Sequence, residues 1–301
     1  MSELRWHPLL EEWVTVAPWR QDRIYHPAAD HCPLCPTKPG GPETEIPEPD
    51  YHIAVFENRF PAFTGEQGRC EVVCYTPIHD SSLGEQTVEH IRDLIEVWRD
   101  RTHELGRLPN VRYVYVFENR GEEIGVTLSH PHGQIYAYPF VPKAIERELR
   151  AEASHLRKTG HCLYCDVLEG EKGERTVAGD ERWTAFVPAF ARWPYEVHLA
   201  PLRHCGSLLD LNEDEDESFA RVLKQVLQKY DRLFDRPLPY VMAMHQKPPG
   251  RGGRQHHLHI EFYPPNRTRD KLKYLAGSEL GAGAFIVDAR AEDTAAELRA
   301  K

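Results

Sequence analysis

No apolar run in the 301 residues approaches the roughly 20 that cross a bilayer as a helix. The opening stretch Met1-Ser2-Glu3-Leu4-Arg5-Trp6 does not have the charged-then-apolar order of a secretion signal. Excess positive charge is also missing. The formal net charge is −10, which argues against nucleic acid as a partner, because a phosphate backbone needs a basic face. Small anionic substrates stay open, since they need only a local cluster of donors. Cys32, Cys35, Cys70, Cys74, Cys162, Cys165 and Cys205 make 7 cysteines, an odd number and a poor disulfide framework. Together these absences predict a cytoplasmic enzyme that engages neither membrane nor nucleic acid.

Histidine, by contrast, is plentiful: 17, against 3 methionines. The length exceeds the roughly 100–150 residues of one typical domain, and the chain is written twice. Cys32-Pro-Leu-Cys35 returns as Cys162-Leu-Tyr-Cys165. His79, after Cys70-Glu-Val-Val-Cys-Tyr, has its counterpart in His204, after Tyr195-Glu-Val-His-Leu-Ala. His130-Pro-His132-Gly-Gln134-Ile-Tyr matches His257-Leu-His259-Ile-Glu261-Phe-Tyr. The echoes keep their order and nearly constant spacing, so two homologous halves are expected, with a repeated core at about 20–142 and 150–266. The first unit is assigned to 1–145 and the second to 146–301.

Each half has one grammar. A Cys-x-x-Cys knuckle precedes strands at 51–56 and 70–75, or at 183–187 and 196–200. A helix follows at 86–104, or at 213–234, with Val88, Ile91, Leu94, Ile95 and Trp98 at the helical period. Strands at 111–117 and 133–138, or at 240–244 and 257–263, close each unit. Pro/Gly-rich loops interrupt the pattern at 37–49 and 248–253, and a last helix is expected over 289–301. This is an α+β fold class, each half an antiparallel sheet with one long helix.

A Cys-x-x-Cys turn places two sulfurs on one ion, and a structural zinc needs two more ligands. The repeat nominates Cys32, Cys35, His79 and His130 for one zinc, and Cys162, Cys165, His204 and His257 for a second. Side chains alternate along a strand, so His130 and His132 share a face. Gly133 leaves the backbone open to a substrate, and Gln134 offers an amide on the same face. Such a set suits attack by a neutral imidazole on a phosphorus, forming a phosphoramidate that a second phosphate collects. A fifth metal ligand or a polar core histidine is the competing reading of His132.

The segment His130-Pro-His132-Gly-Gln134-Ile resembles the active-site motif of galactose-1-phosphate uridylyltransferases, a branch of the histidine-triad superfamily. Trp13-Val-Thr-Val-Ala-Pro18, Phe56-Glu-Asn58-Arg-Phe60-Pro, Phe117-Glu-Asn119-Arg-Gly, Ala191-Arg-Trp-Pro-Tyr195 and Lys273-Tyr-Leu-Ala-Gly277 are similar to family segments in family order. The resemblance spans roughly residues 5–280 and implies two tandem histidine-triad-like halves working in galactose metabolism. It implies that His132 is uridylylated by UDP-glucose, and that galactose-1-phosphate then collects the UMP in a ping-pong reaction. Gln134 would bind the transferring phosphate, Asn58, Phe60 and Asn119 the nucleotide, and Lys273, Tyr274 and Glu279 the sugar end, with Ser129 a further substrate contact. Arg20 and Arg23 would reach the sugar phosphate across a homodimer interface.

Two departures stand out. Some members carry iron or zinc on a glutamate and three histidines in the second half. The matching positions here are Glu148, His245, His259 and Glu261, a set expected only as the alternative to the Cys162 zinc. A hexose-contacting glutamine beyond Glu279 is also not evident in Gly281-Ala-Gly-Ala-Phe285-Ile-Val-Asp288. That keeps a nucleoside-diphosphate-sugar phosphorylase, an adenylyltransferase-type enzyme using inorganic phosphate, as the second reading. A zinc-stapled binding module is a third.

Overall fold

The computed structural model describes residues 2–22, 31–250 and 254–301. A hairpin of β1 (Glu3–His7) and β2 (Glu12–Val16) opens the chain and pairs only with itself. The first half then supplies β3 (Ala54–Glu57), β4 (Arg69–Cys74), α1 (Val88–Gly106), β5 (Tyr113–Arg120) and β6 (His132–Tyr138). Two helices follow, α2 (Lys143–Thr159) and α3 (Leu163–Glu171). The second half supplies β7 (Thr176–Gly179), β8 (Trp183–Phe186), β9 (Val197–Pro201), α4 (Glu213–Leu233), β10 (Tyr240–His245) and β11 (His259–Tyr263). A small hairpin, β12 (Asn266–Thr268) and β13 (Lys271–Leu272), and a terminal helix, α5 (Ala291–Arg299), end the chain.

Nine strands form one antiparallel sheet in the order β3-β4-β6-β5-β10-β11-β9-β8-β7. From the β5–β10 joint outward, the first half runs β5, β6, β4, β3 and the second runs β10, β11, β9, β8. The sequence echo is therefore a topological repeat as well. At the joint, Arg120, Asn119, Glu118 and Phe117 pair with Tyr240, Val241, Met242 and Ala243.

One face of the sheet is covered by α1 and α4. Ile91, Leu94, Ile95 and Trp98 of α1 share a buried cluster with Val114, Val116, Ile135 and Ala137, while Phe219, Leu223 and Val226 of α4 cover Trp183, Val197, Ile260 and Phe262. Fully burying each such side chain is worth about 1.5–3 kcal/mol. The helices start where their caps say: Thr87 accepts from the His90 amide at 3.1 Å, and Asn212 makes a reciprocal capping box with Glu215. Alternation along β6 leaves His132, Gln134, Tyr136 and Tyr138 on the opposite face.

The expected strands and long helices are present, with ends shifted by a few residues. β6 starts at His132, because Pro131 has no N–H for the ladder; His130 lies ahead of the strand rather than in it. Each half has its one long helix, α1 or α4, and α2 and α3 are added between the halves. α2 buries only Ile145, Leu149 and Glu152, a stripe too narrow to read against its charged background. It carries the chain between the halves, packing Ile145 and Leu149 on Tyr113. The loop expected at 248–253 runs into residues outside those described.

Candidate functional site

His132 opens β6, opposite Cys74 of β4. Its Nδ1 lies 2.8 Å from the His130 carbonyl, which can only accept, so Nδ1 carries the hydrogen and Nε2 the lone pair. Burial holds the imidazole pKa below its usual value, against the pull of that carbonyl. A neutral ring with a fixed tautomer and a free Nε2 is a ready nucleophile. Two residues on, the Gln134 side-chain carbonyl accepts from Asn58 Nδ2 at 3.2 Å and from the Tyr136 hydroxyl at 3.3 Å. Its amide N–H groups are thereby left to donate elsewhere. Asn58 is held in turn by the Phe60 amide, 2.8 Å from its side-chain oxygen.

Gly133 does not serve as expected. Its missing Cβ points to the helix-covered face, where a built Cβ would lie 2.1 Å from the Tyr75 hydroxyl and 3.1 Å from the Phe117 carbonyl. The glycine makes room for Tyr75, not for a substrate. Tyr75 itself donates to Glu118 Oε2 at 3.4 Å, and Tyr240 of the second half donates to Glu118 Oε1 at 3.1 Å. Burial pushes that Glu118 carboxyl up to about 7.

Two cavities meet at His132. A narrow one of about 100 Å3 is lined by Leu34, Phe56, Asn58, Phe60, Val72 and Gln134. A wider one of about 650 Å3 reaches past Asn119, Ser129, Arg120 and Gly121. Lys273, Tyr274 and Glu279 line neither. Lys273 is buried, with its Nζ on the Ile286 carbonyl and 3.4 Å from Glu279, and Tyr274 is exposed. Arg20 Nη1 bonds within its own chain, to the Phe60 carbonyl at 2.8 Å and the Tyr136 hydroxyl at 3.3 Å. Arg23 lies outside the described residues.

The first Cys/His set is assembled: Cys32, Cys35, His79 and His130 bring one donor atom each within 4.8 Å of one another. Cys35 Sγ is 3.4 Å from His79 Nδ1 and 3.5 Å from His130 Nδ1. The far nitrogens are tied back, His130 Nε2 to the Thr76 carbonyl at 2.8 Å and the Tyr51 hydroxyl at 2.9 Å, and His79 Nε2 to Ser129 Oγ at 3.1 Å. Such outer contacts orient imidazole ligands toward a metal. Burial lowers His130 to about 4, keeping it neutral. Burial and the Cys32 sulfur raise Cys35 to about 11, a penalty that a cation at the centre would reverse. The donor set, its spacing and its outer partners fit a tetrahedral metal. Sequence reasoning missed Tyr51, Thr76, Tyr75 and Tyr136, which carry no motif signal and reach the site only through the fold.

The second set is assembled likewise. Cys162, Cys165, His204 and His257 meet within 4.8 Å, with His204 and His257 Nδ1 at 3.5 and 3.4 Å from Cys165 Sγ. This knuckle, unlike the first, opens a helix, with Cys162 at the N-cap of α3. Glu148, His245, His259 and Glu261 also lie within 4.8 Å of one another. The fold thus assembles both sets at once, with His257 in one and His259 in the other. His259 repeats His132, its Nδ1 2.8 Å from the His257 carbonyl. Burial disfavours charge on His245, yet Glu148 and Glu261 prevail and raise it to about 9.

Comparisons with known proteins agree along the chain. Residues 64–142 match the model of the galactose-1-phosphate uridyl transferase N-terminal domain, and 147–300 that of the C-terminal domain. A galactose-1-phosphate uridylyltransferase of Thermotoga maritima is 43% identical over 99% of this chain and 98% of its own length. One of Streptomyces lividans is 48% identical over 83% of this chain and 71% of its own. A solved uridylyltransferase structure superimposes with TM-score 0.89 at 34% identity, covering 100% of this chain and 98% of that one.

Proposed function

The chain belongs to the galactose-1-phosphate uridylyltransferase family, and on that premise we propose that His132 carries the uridylyl group between two sugar phosphates. The enzyme is a nucleotidyltransferase, a hexose-1-phosphate uridylyltransferase. In the first half-reaction His132 Nε2 attacks the α-phosphorus of UDP-glucose. The bond from that phosphorus to the bridging oxygen breaks, and glucose-1-phosphate leaves. In the second, a phosphate oxygen of galactose-1-phosphate attacks the same phosphorus, the N–P bond breaks, and UDP-galactose forms. The observation that carries this reading is the 2.8 Å contact of His132 Nδ1 with the His130 carbonyl. The carbonyl favours the charge that develops on the ring as Nε2 bonds to phosphorus, and it fixes the line of attack.

Gln134 donates to the transferring phosphate through the amide N–H groups that Asn58 and Tyr136 leave free. Asn58 and Phe60 hold the nucleoside in the narrow cavity, while Asn119 and Ser129 face the diphosphate in the wider one. The Cys32/Cys35/His79/His130 set and the Cys162/Cys165/His204/His257 set each hold a structural zinc, which supplies cross-linking and no chemistry of its own. Through His130 the first of these fixes the carbonyl on which His132 rests. Residues 1–145 carry the catalysis, and 146–301 form the degenerate half. No helix among the described residues is long and apolar enough to cross a membrane, in keeping with a cytoplasmic enzyme. In a homodimer, Arg20 and Arg23 would reach the sugar phosphate in the partner's site.

The test is isotope exchange. Labelled glucose-1-phosphate should enter UDP-glucose with no galactose-1-phosphate present. An absence of exchange in an enzyme that turns over both substrates would rule out the covalent carrier.

A further inference from the structure

The second half repeats the nucleophile pocket but changes its chemistry. Strand pairing fixes the correspondence. Val72 pairs with Gln134 across β4 and β6, and His198 pairs with Glu261 across β9 and β11. Phe56 and Phe186 lie against Val72 and His198 in turn. A valine and an amide in the first half thus stand where an imidazole and a carboxylate stand in the second. Glu196 joins them, and the donor atoms of Glu196, His198 and Glu261 lie within 4.8 Å of one another, all buried.

One atom of each residue faces the other two, and Glu261 Oε1 also lies 3.4 Å from His259 Nε2. His198 Nε2 lies 3.0 Å from Glu196 Oε1 and 3.5 Å from Glu261 Oε1. The remaining polar atoms are held by others. Glu196 Oε2 accepts from the Arg192 and Trp193 amides at 2.7 and 3.0 Å. Glu261 Oε2 accepts from Arg192 Nη2 at 3.2 Å and from the Tyr263 hydroxyl. His198 Nδ1 is 3.1 Å from the Tyr164 hydroxyl. Outer contacts of this kind orient the ligands of a metal. Spacings of 3.0 and 3.5 Å suit two atoms that each lie about 2.0–2.2 Å from one ion. A cavity of about 250 Å3 opens on the same residues, bordered by Phe190 and Tyr164.

The geometry points to a third metal site here, ligated by Glu196, His198 and Glu261, with water from the cavity filling the remaining positions. Mixed carboxylate and imidazole donors suit Fe2+, Mn2+ or Zn2+. Glu148 and His245, an ion pair at 2.9 Å on the other side of Glu261, are not among its ligands, and the Glu148→Gln variant separates the two centres. A carboxylate in place of the Gln134 amide also turns the pocket away from phosphate, so the copy that lost uridylyl transfer gains a cation.

Metal analysis of the full chain tests this, after equilibration with Zn2+, or with Fe2+ under anaerobic conditions, and gel filtration. One ion per chain is expected beyond those of the two Cys/His sets. Glu196→Gln and His198→Gln should each remove that ion and leave the Cys-bound metal in place, while Glu148→Gln should retain it. If the first two variants do not fold, the native chain and Glu148→Gln still decide. A native chain with no ion beyond the Cys/His sets overturns the proposal, and His198 is then a protonated bridge between two carboxylates. Loss of the extra ion in Glu148→Gln also overturns it, because the ion would then sit on the Glu148–His245 side.

Discussion

At the scale of single residues, the catalytic claim rests on which atoms of His132 and Gln134 are occupied. Gln134→Glu would replace a donor with an anion facing the transferring phosphate. The expected loss is about 10²–10³-fold in kcat, with the fold intact by circular dichroism; a loss below tenfold would contradict the donor role. Gly133→Ala should cost about 1–3 kcal/mol by overpacking against Tyr75, read from chemical denaturation. Tyr75→Phe in the same chain should recover part of that cost, since it removes the hydroxyl the new Cβ meets. His132 and Gln134 were legible in the sequence because their motif is contiguous and strand alternation puts both on one face. The role of Gly133 was not, because the residue it accommodates, Tyr75, lies on another strand and the motif says nothing of what is beneath it.

At the scale of elements, the first knuckle positions His132 through a short chain of contacts. Cys35 and His79 hold His130, and the His130 carbonyl holds His132. Cys35→Ser should therefore release one metal ion and lower kcat by about 10–100-fold. Cys165→Ser should release one ion as well, with a smaller effect on kcat, because its set lies on the half without the nucleophile. Equal losses of kcat in the two variants would contradict this division. The two Cys/His sets could be read from the echo alone. The helices α2 and α3 could not, since their buried stripes are narrow and no repeat of them occurs among the described residues of the first half.

At the scale of the whole molecule, the doubled sequence becomes one sheet rather than two separate bodies. The echo foretold the repeat but not the joint, since pairing of β5 with β10 is a contact between copies that similarity within the copies does not encode. Across the joint, the Tyr240 and Tyr75 hydroxyls both end on Glu118, and Arg120 pairs with Asp231 of α4 at 2.7 Å. Acid should loosen the molecule. His130 is lowered to about 4 and His257 to about 3 in the fold, both mainly by burial. Unfolded imidazoles protonate near 6.5. The stability these two histidines contribute is thus present above about pH 6.5 and is lost as pH falls toward 4 and then 3. With metal stripped by a chelator, going from pH 7.5 to 5 should cost about 2 kcal/mol for each, seen as an earlier denaturation midpoint; an unchanged midpoint in the metal-free chain would contradict the assignment of both as buried neutral rings.

The central claim is the covalent carrier at His132, and intact-protein mass spectrometry tests it most directly. After incubation with UDP-glucose alone, the native chain should gain the mass of one UMP, and His132→Gly should gain none. An adduct that survives in His132→Gly, or no adduct on a folded and active native chain, would contradict the account.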